Sequence, residues 1–214
     1  MVQFNVFVHL AIAQDQFKNV YRESAWAERD QWQRAEELIK LLNIRKGSRA
    51  ADIGCHEGYM TVKLSKAAGG SGQVFAVDID QSKLNLLKKH LEDRGINNVT
   101  LIKGDYDNPK LPANVLDGVL ILDAYHEMDD HDEILQHIKT ALKSGGHLVL
   151  CEPIAENRRN ATRTEQERKH ELGINFAIDD LNRAGFVIRY QKDRFADRTK
   201  IKGDTMWVIV ATKK

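Results

Sequence analysis

Ala51-Asp52-Ile53-Gly54-Cys55-His56-Glu57-Gly58 is the stretch on which the reading of this chain turns. A strand near 49 to 53 runs into a loop that carries an acid and two glycines, and a helix is expected to follow over 58 to 67. Gly54 allows a tight turn with close backbone approach, and Gly58 lets the following helix pack near the strand. Such a loop admits a ligand. Twenty positions after Gly58, at the end of Val74-Phe75-Ala76-Val77, stands Asp78. That is the spacing of an acid that accepts hydrogen bonds from both hydroxyls of a ribose, so the pair of features implies a nucleoside-containing cofactor.

Outward from the loop, strand-like and helix-like segments alternate. Strands are expected over 73 to 78, 98 to 102, 116 to 122, 146 to 151, 186 to 191 and 206 to 212, and helices over 81 to 94, 131 to 142 and 176 to 184. Near-continuous apolar runs such as Val119-Leu120-Ile121-Leu122 belong to strands buried on both faces, so the pattern implies a doubly wound α/β fold with a mainly parallel sheet and helices on both faces. Gly145 and Gly146 offer a left-handed stop after the helix ending near Lys143, and Gly185 does so after Leu181-Asn182-Arg183-Ala184. Upstream, residues 27 to 43 place Trp32, Ala35, Leu38, Ile39 and Leu42 at helical spacing, the signature of one amphipathic helix. With no repeat and only three prolines, the chain reads as one globular domain over 45 to 214, preceded by an N-terminal arm and helix over 1 to 44.

The 214 residues, 42% hydrophobic and 29% charged, suffice to bury a core. Thirty-two Lys and Arg against 31 Asp and Glu leave a net charge of +1, which supplies no global field toward nucleic acid or an anionic membrane. No apolar run is long enough to cross a bilayer as a helix. The two cysteines, Cys55 and Cys151, make neither a disulfide framework nor a zinc-ligand spacing, and no metal is expected. Residues 1 to 14 carry no Asp, Glu, Lys or Arg and end in Ala11-Ile12-Ala13, like the tail of a secretory signal, but a basic leading region is missing. An apolar arm packed on a cytoplasmic domain is the preferred reading of that stretch. Asn160-Ala161-Thr162 fits a glycosylation triplet, a pattern too common by chance to carry weight.

The motifs over roughly 45 to 214 resemble, in order, those of the class I S-adenosylmethionine-dependent methyltransferases. After the glycine loop and Asp78 come Gly104-Asp105-Tyr106, then Leu116-Asp117-Gly118-Val119-Leu120-Ile121-Leu122-Asp123, then Leu142-Lys143-Ser144-Gly145-Gly146-His147-Leu148. The resemblance implies a Rossmann-like, seven-stranded sheet in the order 3-2-1-4-5-7-6, with residues 206 to 212 as its antiparallel strand. It implies S-adenosylmethionine as cofactor, with Asp52 and Gly54 along the methionine part, Asp78 on the ribose, Asp105 and Tyr106 at adenine, and Asp123 facing the methionine amino group and the substrate. Cys55, His56, Gly58 and Ile79 complete the expected cofactor contacts. His56 departs from the family pattern, standing where a middle glycine is usual. The family's frequent N-terminal lid makes Tyr21, Trp26 and Arg29 candidates to close over the cofactor; the competing reading has Trp26 and Trp32 anchoring the first helix.

The acceptor is expected beside Ala124-Tyr125-His126-Glu127-Met128. His126 is the candidate general base, since imidazole titrates near neutral pH, with helix capping as its alternative role. Tyr125 and Glu127 are candidates to shape the acceptor pocket. Residues 156 to 171 form a polar insertion in which Arg158, Arg159, Arg163, Arg168 and Lys169 offer contacts to an anionic substrate, while the interleaved Glu165, Glu167 and Glu171 favour a solvated helix face. His170 is a secondary site candidate. The expected activity is methyl transfer to an O, N or C atom of a small-molecule acceptor, with nucleic acid disfavoured. Protein or RNA methylation, a non-catalytic cofactor-binding protein and an NAD-dependent oxidoreductase are the alternatives, the last leaving Gly104-Asp105-Tyr106 without a role. The acceptor and the oligomeric state are not encoded in any motif.

Overall fold

The computed structural model describes residues 20–213; the uncharged stretch at 1 to 14, with its signal-like Ala11-Ile12-Ala13, lies outside the described residues. A turn at Glu23–Ala25 leads into α1 (Trp26–Arg29) and α2 (Ala35–Leu41). Alternation then begins with β1 (Arg49–Ile53), α3 (Tyr59–Ala68), β2 (Gln73–Asp78), α4 (Gln81–Asp93) and β3 (Val99–Lys103). It continues through β4 (Leu116–Leu122), α5 (His131–Ala141), β5 (Leu142–Ile154), α6 (Arg163–Glu167), α7 (Ile174–Arg183), β6 (Val187–Arg198) and β7 (Asp204–Thr212). The sheet order is β3-β2-β1-β4-β5-β7-β6, with β1 to β5 parallel and β7 antiparallel to both neighbours, as the motif resemblance implies.

The apolar run of β4 explains the layering. Successive side chains of a strand face opposite ways, so Val119 and Ile121 enter a core shared with α5 and α7, while Leu120 and Leu122 enter one shared with α2 and α3. All four are buried. A smaller cluster of Leu84, Leu87 and Leu91 seats α4 against Ala76 and Cys55. Among the described residues, no helix is long and apolar enough to cross a membrane.

Two expectations are corrected. The single helix over 27 to 43 is two pieces, because the chain leaves α1 after Arg29 and passes through Arg34 in the left-handed region at φ 56°. Tertiary contacts hold the break open: Asp30 takes the Tyr59 hydroxyl at 2.7 Å and Lys63 at 2.6 Å, and Arg34 donates to the Phe195 carbonyl at 2.5 Å. A short helix has little stability of its own to set against such contacts. Secondly, α5 ends at Ala141, so Gly145 does not stop a helix. It turns within β5 at φ 74°, its N–H bonded to the Lys213 carbonyl at 3.1 Å. The strands β5 and β6 run beyond the expected 146 to 151 and 186 to 191, reaching Ile154 and Arg198, and these extensions build walls of the site described below.

Gly58 fixes how closely α3 and α4 approach. Its φ is 93°, and a Cβ there would stand 2.1 Å from Leu87 Cδ1. Gly58→Ala therefore combines backbone strain with overpacking and is expected to lower stability by about 2–4 kcal/mol. Gly70→Ala, with nothing among the described residues within 4 Å of the added carbon, should change it by less than about 0.5 kcal/mol. Urea unfolding midpoints at equal slope distinguish the two outcomes.

Candidate active site

The carboxyl ends of β1, β2 and β4 open on a cavity of about 1030 Å³. At one end lies Asp78. One of its oxygens accepts the backbone N–H of His56 at 2.8 Å and the other that of Asp80 at 2.9 Å, which fixes the carboxylate while leaving lone pairs on both oxygens for a diol. Gly54, at φ 74°, lets the β1 and β4 loops close: a Cβ on it would lie 2.4 Å from the Cβ of Ala124. His56 adopts a left-handed backbone at φ 48°, the conformation in which a glycine is most at ease, so the loop keeps its path. Its ring lies 5.7 Å from that of Tyr21, its Nδ1 is buried without a partner among the described residues, and burial lowers its pKa.

Ile79 and Tyr106, 42% and 60% exposed, also line the cavity and present open apolar surface beside these polar groups. Asp105 reaches Lys110 at 2.9 Å. Asp52 is buried, accepts from the Thr61 hydroxyl at 2.6 Å, and has its pKa raised by burial to about 6. Cys55 is buried in the same loop, and burial together with Asp52 and Asp78 pushes its thiol well above the usual value. A pinned acid for a ribose, apolar faces for a purine and further acids for a cationic chain are the donor set that S-adenosylmethionine requires, and the residues present fit that cofactor.

The floor between the two ends is a buried charge cluster. Asp123, at φ 58° just past β4, accepts the Tyr21 hydroxyl and Arg198 Nη1 on the same oxygen, each at 2.5 Å. Arg198, 1% exposed, grips Asp204 with two parallel bonds of 2.7 and 3.0 Å. Burial would raise the pKa of Asp123, but Arg198, then Lys202 and His126, hold it well below the usual range. Lys202 also donates to the Tyr21 hydroxyl. Arg29 lies 4.2 Å over the Tyr59 ring and 5.4 Å over that of Tyr21, its Nε bonded to Gln33 at 3.1 Å. Tyr21 and Arg29 thus close over the ends of β1 and β4.

At the other end, the turn Tyr125–Glu127 presents His126 to the cavity. Its Nδ1 lies 2.5 Å from Glu152, whose second oxygen accepts the backbone N–H groups of Ala124 and Tyr125 at 2.8 and 2.9 Å. Burial opposes a charge on this ring, but Glu152, Glu127 and Asp123 overcome it and raise the pKa to about 10. Glu127 stands 3.7 Å from His126 Nε2 and accepts His170 Nδ1 at 3.0 Å.

Two sequence candidates face elsewhere. Tyr125 is wholly buried and turns from the cavity, its hydroxyl 3.0 Å from Asp180. Trp26 packs edge-on against His90 and Tyr59, at 5.6 and 6.0 Å, and anchors α1 rather than covering the cavity. The insertion holds a helix of only five residues, α6, and three of its cations meet acids: Arg158 meets Glu171, Arg159 meets Glu156 and Asp193, and Arg163 meets Glu167 and Asp180, while Arg158 and Lys169 also line the cavity. Sequence reading missed Glu152, Arg198 and Lys202. Glu152 had a signal, a charge placed directly after the apolar run Leu148-Val149-Leu150-Cys151, where burial demands partners; Arg198 and Lys202 had none.

Residues 44–196 match the family model described as a methyltransferase domain. Among curated proteins, a demethylmenaquinone methyltransferase of a Geobacillus species is 31% identical over 117 residues, 55% of this chain and 50% of its own length. A ubiquinone/menaquinone biosynthesis C-methyltransferase UbiE of Pseudomonas entomophila is 32% identical over 115 residues, 53% of this chain and 45% of its own. The chain spans about half the length of the curated relatives it matches. A crystal structure of a SAM-dependent methyltransferase from Aquifex aeolicus superposes with a TM-score of 0.75 at 19% identity, over 94% of this chain and 98% of that one. The domain match runs from the residue before Arg45 through most of β6, well over half of the sequence, and the chain belongs to the methyltransferase-domain family.

Proposed function

We propose that this protein transfers a methyl group from S-adenosylmethionine to a small-molecule acceptor whose reactive position lies on or next to an acidic hydroxyl, as in a phenol, a hydroquinone or an enol. The observation that carries this reading is His126, its ring set 2.5 Å from the buried Glu152 in the wall of the same cavity as Asp78. The bound cofactor supplies a methyl group already activated on a sulfonium, so the protein's work is alignment, worth up to about 7–11 kcal/mol. Asp78 takes the ribose, Ile79 and Tyr106 flank the base, and Tyr21 with Arg29 keeps water from the reacting end.

We assign His126 as a holder of negative charge rather than as the base its residue type suggests. At neutral pH its ring already carries the proton a base would have to accept. Charged, it donates from Nε2 to the acceptor's oxygen and favours the ionised hydroxyl, the electron-rich form that attacks through oxygen or the adjoining carbon. The hydroxyl proton leaves to Glu127, a carboxylate 3.7 Å from Nε2 and open to solvent. The curated relatives are named for methylation in quinone biosynthesis, in the Pseudomonas case at carbon, which supports this acceptor class. Protein or RNA methylation draws no support from Arg158, Arg159 and Arg163 of the insertion, each engaged by an acid. Two free, buried cysteines suit a reducing, cytoplasmic setting.

In calorimetric titration, S-adenosylhomocysteine should bind and NAD should not, and Asp78→Ala should weaken binding at least about tenfold, the loss of one charge-assisted hydrogen bond or more. Binding of NAD instead would sink the reading. The proton on His126 gives a second prediction. Its folded pKa of about 10 exceeds the unfolded value of about 6.5, so this group stabilises the fold fully below about pH 6.5, and that stabilisation is lost as pH rises through 10. Urea midpoints measured with a chelator present should fall between pH 7 and 10, and His126→Gln should flatten the fall.

A further inference from the structure

The acceptor end of the cavity also brings together two imidazoles and a carboxylate from segments 43 residues apart, the separation of Glu127 and His170. His126, Glu127 and His170 each offer one ligand atom, and these three atoms lie within 4.8 Å of one another. We propose that these three side chains bind a divalent transition-metal ion, with zinc as the reference case.

Distances support the set. Ligand atoms around a tetrahedral zinc with bonds of about 2.0–2.2 Å stand about 3.4 Å apart. The Glu127 oxygen is 3.0 Å from His170 and 3.7 Å from His126. The third edge, between His126 and His170, is at most 4.8 Å, and the His170 side chain is 74% exposed, with room to turn.

The surroundings of His126 point the same way. A metal-bound histidine characteristically hands its other ring nitrogen to a carboxylate that fixes tautomer and orientation. Glu152 does this here, wholly buried, 2.5 Å from Nδ1 and itself pinned by the backbone N–H groups of Ala124 and Tyr125. The ring is therefore held with Nε2 as its only available ligand atom. Asp123, His126 and Glu152 form a second close triple, but Asp123 is engaged by Tyr21 and Arg198 and Glu152 by backbone donors, so they make an outer layer and not a second site.

Two nitrogens and one oxygen suit zinc, cobalt, iron or manganese, and disfavour magnesium and calcium, which take oxygen alone. Three protein ligands leave at least one coordination position open to the cavity, for water or an acceptor oxygen. The ion takes the place that the Nε2 proton holds in the metal-free chain, releasing that proton on binding. It would then hold the acceptor's oxyanion in the proton's stead.

The test uses the full chain, free of any affinity tag, stripped with chelator and titrated with zinc(II) and cobalt(II) without cofactor or acceptor. One ion per chain is expected, cobalt giving the visible bands of a low-symmetry site, and excess magnesium should not displace it. His170→Ala, an exposed change that should leave the thermal midpoint unmoved, should weaken zinc binding at least tenfold. Glu152→Gln should weaken it about 10–100-fold. No saturable binding, or equal affinity in His170→Ala, would overturn the proposal. Because neither cofactor nor acceptor is present, failure here leaves the methyl-transfer reading standing, and failure of that reading leaves this one.

Discussion

A carboxylate cannot be taken out of water at the end of a central strand unless a positive charge or several donors come with it, and this constraint governs the half of the molecule that holds the site. Asp123 directly follows β4 in the middle of the sheet, and its partner, Arg198, is the last residue of β6 at the sheet's far edge. To bring that guanidinium home, β6 runs long and passes through a register shift between Lys192 and Ala196. Asp204 at the start of β7 then clamps the same guanidinium from its other side. Removing Arg198 would leave two buried acids facing each other, a change of the class that costs about 3–5 kcal/mol.

Glu152 answers the same constraint differently, with backbone donors and one imidazole. Its neighbours in β5, Leu150 and Cys151, are fully buried, so the glutamate has no route to water, and its geometry is dictated by the turn that follows β4. Ala124, Tyr125 and His126 around that turn supply the partners the acid needs. The antiparallel β7, which pairs Trp207 with Glu152, closes the remaining side.

The sheet was legible in the sequence because its signals are local. Apolar runs bounded by glycines name strands without reference to anything distant, and the glycine loop and Asp78 singled out in the sequence do line the cavity. What escaped depended on distant partners. The break between α1 and α2 is made by Tyr59, Lys63 and the Phe195 carbonyl, none near in sequence. Tyr125 and His126 are adjacent in one turn, and only the fold decides that the hydroxyl goes to Asp180 while the imidazole faces the cavity. For Trp26 the sequence offered both a lid and an anchor, and packing against His90 and Tyr59 makes it the anchor. Arg198 lies in a polar stretch that reads as solvent-facing.

The cofactor loop holds one more residue whose chemistry matters by being silenced. Cys55 lines the cavity, and a sulfonium methyl donor is an alkylating agent toward any thiolate within reach. Burial, with Asp52 and Asp78 adding negative charge close by, keeps the Cys55 sulfur protonated, and the thiol is a poor nucleophile beside its anion. Burial first, and then the carboxylates that suit a cationic cofactor, thus hold this thiol in its weakly nucleophilic form.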